Sequence, residues 1–114
     1  MSRPVVPLAL LVAVAGCAGV SVLDRPFGPD GRTIRQDIAT YPEEQRAAFA
    51  LAERRCSACH AIDEPFSAHV KAGAWRSIVR KMARKPGAAI PSADQEKIAA
   101  FFEYFFERRA ASGQ

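Results

Sequence analysis

The chain has 114 residues, of which 49% are hydrophobic and 25% charged. That is enough for one compact domain and excludes wholesale disorder. The formal charge is only +4. No reading motif accompanies it, so a nucleic acid is not an expected partner.

Residues 1–16 read as an export signal. Arg3 and the amino terminus make the positive end, an apolar stretch runs from Val5 to Val14, and Ala15 and Gly16 close it. The stretch is too short to span a membrane, which takes about 20 apolar residues. Pro4 and Pro7 break it further. Its end, Val14-Ala15-Gly16-Cys17, resembles the lipobox of bacterial lipoproteins. That resemblance implies cleavage before Cys17, a diacylglycerol on its sulfur and an acyl chain on its new amino terminus. Several acyl chains anchor a protein durably, where one binds only marginally. The expected location is therefore the periplasmic side of a bacterial envelope, tethered to the membrane through Cys17. Ala18 stands where that family often carries an acidic residue for inner-membrane retention, so the outer membrane is the default. Loss of Arg3 with the signal leaves a net charge of +3.

From 17 to 39 the sequence shows no sustained period. Pro26, Gly28, Pro29 and Gly31 punctuate it, and it reads as a lipid-anchored tether or a loose wrap between membrane and domain, in which Phe27 and Ile34 could dock onto the domain. The folded domain is expected over 40–110. Thr40 with Glu43 matches a capping box, and Pro42 suits the first turn. Glu43 to Arg55 is rich in helix formers, with Ala48, Leu51, Ala52 and Arg55 on one stripe and Phe49 beside it.

Residues 61–73 contain Pro65 and Gly73 without a clean period and read mostly as loop. Trp75, Ile78, Val79 and Met82 then fall on one helical face, and Arg76, Arg80 and Arg84 on another. Pro86-Gly87 ends this helix. Ser92 and Gln95 form a second candidate capping box, opening a helix with Ile98, Phe101, Phe102, Phe105 and Phe106 on its inner side. No strand signal and no internal repeat is visible, so the expected fold is all-α, with a single domain.

The chemistry is concentrated in Cys56-Ser57-Ala58-Cys59-His60. The spacing C-x-x-C-H is the signature of covalent haem attachment. One helical turn presents both sulfurs to the two vinyl groups of one haem, and His60 follows as the proximal iron ligand. Three other readings are weaker. A Cys56–Cys59 disulfide leaves His60 without a role. A thioredoxin-like pair calls for a βαβ context. A zinc site would have to be assembled from Cys56, Cys59, His60 and His69. With two cysteines on haem, lipidation of Cys17 accounts for the third thiol, which would otherwise be a liability in an oxidising compartment. A haem at the centre also eases the shortage of core in so short a chain.

Met82 is the only methionine after Met1, which leaves with the signal. It is the first candidate for the second axial ligand, and His69 is the rival; His/Met ligation raises the reduction potential relative to bis-histidine. Trp75, Arg76 and Arg80 are candidate contacts for the haem propionates, the alternatives being a core tryptophan and a solvated charged face.

The order of C-x-x-C-H, then Trp75-Arg76-Ser77-Ile78-Val79-Arg80-Lys81-Met82, then an aromatic last helix resembles small class I c-type cytochromes over about residues 43–108. The resemblance implies three to four helices around one covalent haem, iron ligation by His60 and Met82, and crossing of the first and last helices. The chain departs from the family at Ala52, four residues before Cys56, where an aromatic is common; Phe49 is the candidate replacement. The expected function is single-electron transfer between redox proteins, as a shuttle or as the cytochrome subunit of a larger oxidoreductase. A haem-based sensor with an open or weak sixth position is the alternative. A structural lipoprotein without haem is a third reading. No acid–base set surrounds an open metal position, so an enzyme is not expected.

Overall fold

The computed structural model describes residues 1–2, 19–57 and 62–113. Its helices are α1 (Ile34–Ile38), α2 (Glu43–Cys56), α3 (Asp63–Phe66), α4 (Trp75–Ala83) and α5 (Ser92–Ala111), preceded by a 3-10 turn at Val22–Asp24. Among the described residues there is no strand beyond one isolated bridge between Pro26 and Thr33. None of these helices is long and apolar enough to cross a membrane. The all-helical expectation holds.

The longest helix, α5, is the axis of the core. Phe101, Phe102 and Phe105 are fully buried on it, and α2 and α4 both pack against it. Phe49 of α2 meets Phe101 at a ring-centroid distance of 5.5 Å, and Phe66 of α3 meets Phe102 and Phe105 edge-on at 5.4 and 5.0 Å. Such tilted and edge-to-face pairs place the positive ring edge against a negative face. Phe49 thus fills the helix contact beside the small Ala52, which is itself buried.

The direction of α2 along α5 follows from three contacts. Tyr41, just before α2, packs edge-on against Tyr104 at 5.0 Å. Phe49 meets Phe101, and Arg55 donates through Nε to Asp94 Oδ2 at 3.0 Å. The two helices are therefore antiparallel, and the Cys56 end of α2 lies at the start of α5.

The helix starts differ from those expected. Pro42 and Pro91 are the N-caps of α2 and α5, with no side-chain cap at either. Their extended ψ angles of 150° and 151° make Glu43 and Ser92 the first helical residues and leave the candidate caps out of position. Thr40 Oγ1 instead donates to the Asp37 carbonyl, and Gln95 Nε2 to that of Ile90. The capping box that does form is Thr33–Gln36, at the start of α1. The loop 61–73 also contains one short helix, α3.

Residues 21–39 do not run as a tether. Leu23, Ile34 and Ile38 are at most 2% exposed and belong to the main core. A one-turn helix and a 3-10 turn give too short a periodic signal to read in sequence, but burial of three large aliphatics outweighs the missing local propensity. Asp63 fastens the segment, accepting from Ser21 Oγ at 2.6 Å and Val22 N–H at 2.9 Å.

These two hydrogen bonds hold the Asp63 carboxyl below its ordinary pKa. The depressed value means that the carboxylate stabilises the fold above its unfolded pKa, and that this contribution is lost as pH falls through the lower, folded value. Asp63→Asn is expected to loosen the 21–24 turn at neutral pH, with the difference from wild type shrinking below about pH 4. Amide exchange at Val22, measured against pH, checks this; a difference independent of pH would exclude the linkage.

Candidate functional site

The C-x-x-C-H run leaves the C-terminal end of α2. Cys56, the last helical residue, is buried on the main core. Cys59, His60 and the lipidation candidate Cys17 lie outside the described residues. Local sequence explains why α2 reaches Cys56: Ala, Glu, Gln and Arg sustain the helix, while Ala48, Phe49, Leu51 and Ala52 hold one face inward. At its last turn Arg55 pairs with Asp94 and also donates through Nη1 to the Ala89 carbonyl at 3.4 Å. One side chain thus ties the cysteine end of α2 both to the first turn of α5 and to the loop before it.

Helix α4 approaches the same place from another side. Trp75, its first residue, is buried and stacks on Phe102 at 4.5 Å and 22°, and on Phe106 at 5.4 Å and 13°. Arg76 pairs with Glu96 at 3.0 Å, nearer the start of α5. The loop 84–91 then returns the chain to Ser92, with Gly87 at a φ of +79°, a backbone region suited to glycine. So α4 runs back along α5 towards its N-terminal end. Met82 lies two turns beyond Trp75 on the same stripe, half-buried and packed against the core. Cys56 and Met82 are therefore carried to the same end of α5 by two helices that both pack on it.

His69 is elsewhere. It is exposed on the rim of an apolar cavity of about 550 Å³ that also takes in Phe66, Trp75, Glu103, Phe106 and Ala110. Those residues of α5 lie towards its far end from Asp94, where the Cys56 end of α2 is tied. Of the candidate propionate contacts, Trp75 is stacked within the core, Arg76 has an exposed carboxylate partner in Glu96, and Arg80 is exposed on the outer face of α4.

One residue of this region has no signal in the sequence. Glu103 is half-buried among the aromatics of α5, and its carboxylate accepts from Gly73 N–H at 2.9 Å and Trp75 N–H at 3.0 Å. Its spacing gives no capping motif, because the helix it caps belongs to another part of the chain.

Among the described residues, the thiol of Cys56 at a buried helix end, the thioether of Met82 on the inner stripe of α4 and a core without buried polar side chains are of the kinds an apolar, iron-bearing ring would take. The chain matches no family model, no curated protein and no solved structure.

Proposed function

We propose that this chain is a lipid-tethered periplasmic c-type cytochrome with one haem. It carries single electrons between redox proteins, as a shuttle or as the cytochrome subunit of a larger oxidoreductase. The observation that carries this reading is the convergence of the C-x-x-C-H end of α2 and the Met82 stripe of α4 on one end of α5.

Haem, when bound, supplies an iron that gains or loses one electron. Cys56 and Cys59 hold the ring through thioether links, so the group stays attached even when its surroundings open. His60 would supply an imidazole and Met82 a thioether to its iron. The methionine sulfur raises the reduction potential relative to a second histidine. His69 is the weaker sixth ligand, because it borders the opposite end of α5 from Cys56.

The test is the absorption spectrum of the exported protein, oxidised and reduced, beside that of Met82→Ala. The wild type is expected to show a c-type spectrum with a weak near-infrared ferric band from sulfur ligation, and the variant to lose that band. An unchanged variant would transfer the sixth position to His69 or leave it open, in favour of ligand sensing. Absence of haem absorbance in a host competent for its attachment would refute the proposal.

A further inference from the structure

Helix α4 has no cap of its own. Ala74 stands at its N-cap and offers no side-chain acceptor, so the first N–H groups depend on outside partners. Glu103 reaches across from α5 to provide two acceptors at once, Oε2 to Gly73 and Oε1 to Trp75. Its charge also opposes the positive end of the helix dipole. Two bonds from one rigid carboxylate fix a direction as well as a distance. The neighbours of Glu103 on α5, Phe102 and Phe106, stack on the Trp75 ring and hold the same turn by its side chain.

The other end of α4 is held differently. From Ser77 to Lys85 no side chain makes a hydrogen bond or ion pair to another described residue, and Met82 is kept in place by packing alone. Val79 is buried and Ile78 and Met82 pack against the core, so the rest of α4 is seated by apolar contact, and the clamp at the Trp75 end is the directional polar restraint about which that packing settles. Seven residues at 1.5 Å each make a lever of about 10 Å, so a tilt of 10° at the clamp displaces Met82 by about 2 Å. Functional groups have to be held within about 0.5 Å of their working position.

We infer that Glu103 is the positioning residue for Met82: by clamping the first turn of α4 it determines how closely the thioether is presented to the iron. The inference rests on the electron-carrier reading above. It concerns geometry, since the Glu103 carboxylate hydrogen-bonds to the backbone N–H groups of Gly73 and Trp75.

The test uses the full-length, haem-loaded protein as Glu103→Ala and Glu103→Gln, with Glu107→Gln, an exposed carboxylate one turn on, as control. Two quantities are read: the intensity of the ferric sulfur band, and the rate at which carbon monoxide binds the ferrous form. Glu103→Ala is expected to weaken the band and speed carbon monoxide binding at least tenfold. Glu103→Gln, with one acceptor and no charge, should fall between it and wild type, and Glu107→Gln should match wild type. If Glu103→Ala does not fold, Glu103→Gln alone decides. Variants that lose unfolding resistance but keep the wild-type band and carbon monoxide rate would overturn the positioning role alone. A wild-type protein without haem absorbance would overturn the electron-carrier reading and this role together.

Discussion

Phe102→Ala is expected to cost about 3–5 kcal/mol of unfolding free energy, the range for removing a large aromatic from a packed core. The ring has no exposed surface and touches three other aromatics: Trp75 at 4.5 Å, Phe101 at 5.2 Å and Phe66 at 5.4 Å. These partners come from α4, α5 itself and α3, so the cavity left behind would border three elements and could not close by the shift of one. Small domains have only about 5–15 kcal/mol in total. The variant should therefore be partly unfolded well below the wild-type melting temperature. Equilibrium denaturation by urea, followed by far-ultraviolet circular dichroism, measures it. A loss under about 1 kcal/mol would mean that the aromatic cluster does not carry the core.

The second large effect concerns the segment before α2. Replacing Leu23, Ile34 and Ile38 together by alanine is expected to remove about 6 kcal/mol or more, taking the low end of about 2 kcal/mol for each buried aliphatic. Neighbouring cavities do not add strictly, and Ile34 and Ile38 sit one turn apart. The sum nevertheless approaches the whole stability of a small domain. The triple variant should be largely unfolded at 25 °C, or lose its cooperative transition, by the same urea experiment. If residues 21–39 were only a tether, the three substitutions would leave the midpoint unchanged.

The candidate site is legible in the sequence wherever its chemistry is local. Cys56, Cys59 and His60 stand out by adjacency, in the C-x-x-C-H spacing from which the proposed haem is read. Met82 is legible by its seven-residue offset from Trp75, and the structure keeps both on one inward stripe. Arg55 reads in the sequence as part of a helical stripe; its tie to Asp94 and Ala89, which fastens the cysteine end of α2, crosses between elements and leaves no local pattern. Glu103 is invisible for the same reason. A carboxylate in the middle of an aromatic helix looks like a solvated position until the turn at 73–75 is brought against it.

The capping boxes show how a correct motif can fail. Thr33–Gln36, Thr40–Glu43 and Ser92–Gln95 carry the same spacing, yet only the first forms. In the other two a proline lies immediately before the helix, and its fixed φ and extended ψ decide where the helix begins. The resulting N-cap has no side-chain oxygen to offer.

By itself the sequence determined the helical class and the extents of α2, α4 and α5 to within a few residues, and it supplied the C-x-x-C-H run and the Met82 stripe on which the proposed function rests. Each of these is a local pattern, so composition and period carry it. Only the tertiary structure decided that Leu23, Ile34 and Ile38 belong to the core, that Cys56 and Met82 reach the same end of α5, and that Glu103 fastens α4. Those outcomes depend on contacts between residues 28 to 42 positions apart in the chain, as in Glu103 with Trp75 and Ser21 with Asp63. Their energy comes from burial and paired charges that exist only once the helices have met.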